Sequence, residues 1–305
     1  MDVRTKKYIM IFESNFIKRF GTNLSANVKL SNYSWFNLGG KADYFFKAND
    51  KSDLKEFLRE SNKKKLNIII VGAGSNTLFR DNGVRGAVIK LGKEFSFINK
   101  IDEDIIEVGA ATLDRKVSNF AKDSDLKDLE CLSCIPGSIG GAITMNSGCY
   151  DSDISKVLIS INVLDKNNIV ESEIKKEDIH FFYRGTNLPD KYIILSAKFK
   201  CSIGKKSEIE KKQKELIERK KLTQPNQIKT CGSTFKNINK NKKAWMLIKE
   251  AGCTNFKEGD AEISQKHCNF FVNNGKARSK DIENLMKKVQ KKVYEKTGVN
   301  LELEI

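Results

Sequence analysis

The chain has 305 residues, 39% hydrophobic and 31% charged, with a formal net charge of +16. That length supports two or three domains with a sizeable core, and the composition excludes an intrinsically disordered chain. No apolar run reaches the ~18–20 residues of a membrane span, and the short stretch YIMIFESNF is broken by Glu13 and lacks the small-residue cleavage site of a secretory signal.

Residues 1–30 open with a weak helical pattern. In SWFNLGGKADYFFKA, Gly39-Gly40 separates two strand-like pieces, and DKSDLKEFLRESNKKK puts Leu54, Phe57 and Leu58 on one face of a predicted helix. LNIIIVGAGSNTLF is a buried strand running into a glycine turn, and GAVIKL and DIIEVGAA are further short strands. TLDRKVSNFAKDS is predicted as a helix capped by Thr112. KVLISINVLD, NIVESEI and YIILSAKFKC follow as strands. The texture changes near residue 204. SEIEKKQKELIERKKL is a helix, KAWMLIKEAG a short helix ending at Gly252, and NFFVNN a strand. SKDIENLMKKVQKKVYEKTG places Ile282, Leu285, Met286, Val289 and Val293 at helical spacing between a Ser279 cap and Gly298. The closing VNLELEI is strand-like. The pattern predicts an α+β body followed by a smaller α/β domain.

The basic excess raises nucleic-acid binding as one reading. The lysines, however, fall in helical stretches that keep an apolar face, with little aromatic interleaving and no zinc-finger, ribonucleoprotein-type or helix-turn-helix signature. A solvated lysine-rich surface fits better, and no nucleic-acid or membrane partner is expected. Seven cysteines, an odd number, argue for free thiols in a reducing compartment, with the cytoplasm as default. Cys131 and Cys134 have CxxC spacing but no second pair and no nearby histidine, so neither a metal nor a redox role is expected of them.

Two glycine segments stand out. VGAGSNTLF begins like a dinucleotide fingerprint, but Thr77 occupies the third glycine position, and no lysine makes it a P-loop. The backbone of Gly72, Ala73 and Gly74, with Ser75 and Asn76, forms either an anion nest or a structural turn. IPGSIGGAITMNSG concentrates four of the 20 glycines and one of the three prolines in fourteen residues. Pro136 fixes a turn, Gly137 and Ser138 keep it bare, and Gly140 and Gly141 permit close approach by a flat or charged ligand. In an extended segment Thr144, Asn146 and Gly148 share a face. An elaborate bulged loop is the alternative.

With FFYRGT, CGSTFKN and KHCNFFVNNGKA following in order, these segments resemble the motifs of the UDP-N-acetylenolpyruvoylglucosamine reductase family, from about residue 30 to the last residue. The absence of an insertion after YRGT is similar to the shorter class of that family. The resemblance implies two FAD-binding subdomains of the vanillyl-alcohol-oxidase/PCMH type, placed at 1–66 and 67–203, and a substrate domain at 204–305. It implies FAD held by segments 72–76 and 136–148. It also implies NADPH as hydride donor, UDP-N-acetylglucosamine enolpyruvate as substrate in peptidoglycan synthesis, and no obligatory protein partner. Cys134 stands where the family carries a small residue, and Lys220 near an arginine of some relatives.

By the same resemblance Arg184 is the family's arginine, whose guanidinium fork suits a carboxylate; alone, it reads as a surface ion pair. Ser233 matches the proton donor, where the bland reading is a turn serine. Tyr183 either helps shape the substrate site or is a core tyrosine, and Asn237 matches a substrate-contacting asparagine of some relatives. Glu304 takes the place of a C-terminal catalytic glutamate, although Glu302 shares its side-chain direction in a strand. Cys231 is expected to be structural, and His267 to make a structural or a substrate-side hydrogen bond rather than do acid–base work. A related flavoprotein oxidase remains the enzymatic alternative, and a colourless nucleic-acid-binding protein the non-enzymatic one.

Overall fold

The computed structural model describes residues 16–239 and 241–305, so the expectations for residues 1–15 lie outside the described residues. Residues 16–19 are helical. Strands β1 (Leu24–Lys29) and β2 (Lys41–Ala48) pair antiparallel, and helix α1 (Lys51–Lys63) follows, capped by Asp50 accepting from the Asp53 N–H at 2.7 Å. Leu54, Phe57 and Leu58 are fully buried, with Phe57 stacked 4.1 Å from Phe46. Strands β3 (Ile68–Ile70) and β4 (Val84–Leu91) run parallel to β2 and complete a sheet of order β1-β2-β4-β3. The expected cut at residue 66 therefore falls inside this sheet, because β3 and β4 draw their backbone partners from the first unit. The strand-like piece before Gly39 is a loop, and its Phe36 and Leu38 are buried in the core of the C-terminal domain.

The second sheet begins with β5 (Ile98–Lys100) and β6 (Ile105–Gly109), followed by helix α2 (Asp114–Asp123). Thr112 does not cap this helix: its hydroxyl donates to the Phe97 carbonyl at 3.0 Å, and Leu113 holds the cap position. Residues Ile139–Thr144 form a short helix, α3, rather than an extended segment. The amides of Ala142 and Met145 find partners at Ser138 and Gly141, and Ile139, Ala142 and Ile143 face the core. Thr144, Asn146 and Gly148 thus do not line one strand face. A tight hairpin, β7 (Gly148–Cys149) and β8 (Ser152–Asp153), leads to β9 (Leu158–Asp165) and β10 (Glu171–Lys175). A second small hairpin, β11 (Phe181–Phe182) and β12 (Gly185–Thr186), precedes β13 (Tyr192–Lys200). The larger sheet has order β10-β9-β13-β6-β5, antiparallel throughout.

Helix α4 (Lys206–Thr223) packs on this second unit, where buried Gln213 donates to the Ser118 hydroxyl at 2.8 Å. The boundary expected at residue 204 therefore shifts to the end of α4. The C-terminal domain holds α5 (Ala244–Glu250), the antiparallel sheet of β14 (Lys257–Glu258), β15 (Ala261–Ile263) and β16 (Phe271–Asn273), and α6 (Ser279–Thr297). The five apolar residues expected on one face of α6 are all buried, and Gly298 ends the helix at φ +68°. Arg278, not Ser279, holds its N-cap. The Ser279 hydroxyl is taken by the Asp81 N–H at 2.7 Å and so ties α6 to the loop between β3 and β4. Among the described residues no helix is long and apolar enough to cross a membrane.

Candidate active site

The two glycine segments line one cleft of about 990 Å³, at the upper end of the ~300–1,000 Å³ of small-molecule sites. They are tied together: the Ser75 hydroxyl donates to the Pro136 carbonyl at 2.6 Å. Residues 72–76 form the turn after β3. Its Gly74 has φ +71°, and an added Cβ would lie 2.0 Å from the Tyr33 carbonyl oxygen. On the second segment a Cβ at Gly141 would meet nothing nearer than Ser138 Oγ at 3.9 Å, so this backbone is open to the cleft.

Beneath the second segment lies Asp114, fully buried, with neither carboxylate oxygen hydrogen-bonded among the described residues. Burial pushes its carboxyl up to about 8, so it is largely protonated at neutral pH. Thr230, also at the cleft, has a buried hydroxyl with no partner among the described residues. Orphaned polar atoms beside a bare backbone suit a bound ligand that brings its own donors and acceptors. Lys90 and Lys220 supply positive charge to the same walls. Lys90 Nζ donates to the Gly72 carbonyl and Lys220 Nζ to the Cys134 carbonyl, each at 2.5 Å. Burial lowers both ammonium groups below their usual range.

Three polar side chains converge at this cleft from distant parts of the chain. Arg184 sits at the tip of the β11–β12 hairpin with φ +59°, an uncommon conformation for a non-glycine residue. Its Nε donates to Glu304 Oε1 at 2.8 Å and its Nη2 to the Gly148 carbonyl at 2.9 Å. Nη1 has no hydrogen-bond partner among the described residues. Glu304 is fixed from three sides: its N–H donates to the Thr234 carbonyl, its carbonyl accepts from Asn76 Nδ2, and its carboxylate accepts from Arg184. Burial raises its carboxyl above the usual range, against the opposing pull of Arg184. Glu302, on the same closing segment, is exposed and pairs instead with Lys236 at 3.7 Å.

Ser233 follows Gly232, which turns the chain at φ +85°. Its backbone bridges Phe270, while its hydroxyl has no partner among the described residues. The motif KHCNFFVNNGKA explains why this segment is held firmly. Buried Asn269 accepts from the Phe235 N–H at 3.0 Å and donates to the Phe235 carbonyl at 2.8 Å, while its own carbonyl accepts from Thr234. His267 Nδ1 accepts from the Asn269 N–H at 3.2 Å, and burial holds the ring neutral by lowering its pKa. Cys231 is buried against the Gly74 and Thr77 carbonyls, and its thiol is pushed up by burial.

Tyr183, Asn237 and Asn146 do not line the cleft. Asn237 Nδ2 donates to the Tyr183 hydroxyl at 3.1 Å while its Oδ1 accepts from the Ala244 N–H. Asn146 is buried and donates to the Phe182 carbonyl at 3.2 Å, bracing the hairpin that carries Arg184. Lys90 and Asp114 were invisible to motif reading. A charged residue inside an apolar strand, and one at a helix start, carry no signal of the cleft. Among the described residues no group of three His, Cys, Asp or Glu side chains is placed to hold a metal ion.

Comparison with known proteins accounts for both halves of the cleft. Residues 42–171 match the FAD binding domain family, and residues 224–305 match the C-terminal domain of UDP-N-acetylenolpyruvoylglucosamine reductase. The UDP-N-acetylenolpyruvoylglucosamine reductase of Pelagibacter ubique is 42% identical over 295 residues, covering 95% of this chain and 97% of that protein. That of Rickettsia canadensis is 41% identical over 277 residues, covering 90% and 92%. The crystal structure of the Thermus caldophilus reductase superposes with a TM-score of 0.78 at 32% identity, over 91% of this chain and 96% of that one.

Proposed function

The chain belongs to the UDP-N-acetylenolpyruvoylglucosamine reductase family, and from that premise we propose that Arg184, Ser233 and Glu304 carry the proton-handling half of its reaction. It is an FAD-containing, NADPH-dependent oxidoreductase that reduces UDP-N-acetylglucosamine enolpyruvate to UDP-N-acetylmuramate in peptidoglycan synthesis. Its fold is α+β, an FAD-binding body followed by a smaller substrate domain.

The residues present fit FAD. Segments 72–76 and 136–141 offer bare backbone on two walls, and Lys90 and Lys220 offer charge for the pyrophosphate. Asp114 and Thr230 have polar atoms in want of partners. When bound, FAD supplies the hydride relay between NADPH and the enolpyruvyl double bond.

Hydride addition at the terminal vinyl carbon leaves charge on the adjacent carbon and its carboxylate. Arg184 faces that charge with the edge of its guanidinium not committed to Glu304 and Gly148. A guanidinium keeps its charge at any working pH and stabilises such a developing anion without having to reorganise. Ser233 donates its hydroxyl proton to the carbon. Its hydroxyl is free to do so because the segment is fastened through its backbone and Asn269. Glu304 orients the guanidinium and is the titratable carboxyl beside it. Tyr183 and Asn237, locked to one another beside Arg184, form a rim for the sugar nucleotide. Free thiols at all seven cysteines support a reducing compartment, for which we propose the cytoplasm.

The observation that carries this reading is the convergence of Arg184, Ser233 and Glu304 on the glycine-walled cleft. Rapid mixing tests it by following flavin absorbance in each half-reaction separately. Ser233→Ala is expected to be bleached by NADPH at close to the parent rate. Its reoxidation by the enolpyruvyl substrate is expected to slow by ~10²–10⁴-fold, the contribution of a positioned acid, or about 3–5 kcal/mol of barrier. Glu304→Ala follows the same pattern and Glu302→Ala does not. Equal slowing of both halves in Ser233→Ala would move the proton donor elsewhere.

A further inference from the structure

The close approach among the thiols joins one member of the CxxC pair to a cysteine outside it. Cys134 immediately precedes the bare segment of the cleft, and Cys149 stands on β7, yet their Sγ atoms lie 3.2 Å apart. Both thiols also point at one acceptor, the Cys131 carbonyl, at 3.3 Å from Cys134 and 3.7 Å from Cys149. A disulfide has its sulfurs ~2.05 Å apart, so roughly 1 Å of movement separates the observed pair from a covalent bond.

The pair is reachable from two sides. Both cysteines line the main cleft, and Cys149 also lines a second cavity of about 700 Å³. The hairpin carrying Cys149 has a two-residue tip, Tyr150–Asp151, with φ +52° and +66°.

We propose that Cys134 and Cys149 are a reversible oxidation site, closing to an intramolecular disulfide on reaction with a hydroperoxide. Cys134 is the attacking thiol. The hydrogen bond from the Cys149 thiol, with the charge of Lys220, holds the Cys134 thiol below its usual range, whereas Cys149 is raised. The Cys134 thiolate attacks one peroxide oxygen and the O–O bond breaks. This leaves a sulfenic acid on Cys134 and an oxygen anion that takes a proton to become water or an alcohol. Cys149 Sγ then attacks the Cys134 sulfur. The S–O bond breaks, and hydroxide departs with the Cys149 proton as water. Two thiols lose two electrons and two protons, and one hydroperoxide is reduced. A low-pKa thiol beside a resolving thiol is the arrangement that favours this sequence over further oxidation, and disulfides of cytosolic proteins are typically of this transient kind.

The bond would be felt in the active site. Cys149 adjoins Gly148, whose carbonyl accepts from Arg184 Nη2 at 2.9 Å, and Cys134 adjoins the cofactor-side segment. Drawing the two together displaces the Arg184 acceptor, and a misplacement of ~1 Å can cost up to ~10²-fold in rate.

The test is to treat the flavin-loaded enzyme with hydrogen peroxide, quench free thiols with iodoacetamide, and map peptides by mass spectrometry. The expected product is a Cys134–Cys149 cross-linked peptide, short of two hydrogens and abolished by dithiothreitol. Turnover falls at least ~10-fold and returns with the reductant. In Cys149→Ser, Cys134 is expected to proceed to sulfinic acid and inactivation to become irreversible. In Cys134→Ser, peroxide leaves Cys149 reduced and turnover unchanged from that variant's own untreated rate. Irreversible acids in the parent enzyme, a cross-link through Cys131 instead, or a formed cross-link with undiminished turnover would each overturn the proposal. The mass readout stands whether or not Ser233 is the proton donor.

Discussion

At Gly74 an added Cβ would lie 2.0 Å from the Tyr33 carbonyl oxygen, whereas at Gly141 it would meet no atom closer than 3.9 Å. The two glycines stand in two segments that line one cleft, in motifs of similar composition. The first is bare because another stretch of backbone fills the space and the turn needs φ +71°; the second is bare toward the open cleft. Glycine in a cleft-lining motif therefore answers to two different circumstances, crowding by backbone in one place and open space in the other.

The strongest way to break that distinction is Gly74→Val. The variant must adopt a left-handed backbone and displace Tyr33, so it is expected to lose roughly 2–5 kcal/mol of stability in urea denaturation. Near-parent stability with flavin missing would make Gly74 a ligand-side residue after all.

Next in size is the carboxyl under the second wall. A Cβ at Gly137 would meet Asp114 Oδ2 at 2.3 Å, and that carboxyl is raised to about 8. Its unfolded value is ~3.9. Between those pH values the native state holds a proton that the unfolded chain has released, so stability falls as pH rises, by up to ~1.4 kcal/mol per unit. Asp114→Asn removes this slope, and its stability relative to the parent is expected to grow from pH 5 to pH 8. A constant difference across that range would mean that Asp114 is ionised in the fold.

The finest test is at Gly141. Gly141→Leu is expected to fold with near-parent stability and to weaken FAD binding at least ~10-fold, which is about 1.4 kcal/mol, as read by flavin fluorescence on titration. Gly141→Ala, inside α3, is expected to gain ~0.5–1 kcal/mol of helix stability while still weakening the cofactor. Full flavin affinity in both would separate this wall from the cofactor.

The same contrast governs what could be read in advance. α1 and α6 were legible because helix periodicity is local, and their apolar faces are buried as the spacing demands. The caps at Thr112 and Ser279 misled because each hydroxyl is claimed by a partner from another element, Phe97 in one case and Asp81 in the other. The sheet boundary at residue 66 misled for a related reason, since β3 is too short to signal which sheet will take it.

The order of the motifs was enough to establish the family and its cofactor class, because backbone-exposing segments and an arginine hairpin need particular residue types in a particular order. The geometry of the site was not in any one segment. Glu304 and Glu302 are two residues apart on a strand-like end, and nothing local separates them. Pairing of that end with Thr234–Lys236 turns Glu304 toward Arg184 and leaves Glu302 in solvent. Burial then raises the Glu304 carboxyl, and Asp114 is shifted by the same desolvation under Gly137. A sequence specifies which groups are available. Which of them lose water, and against which partner, depends on contacts between segments far apart in the chain, and those exist only once the three parts have packed.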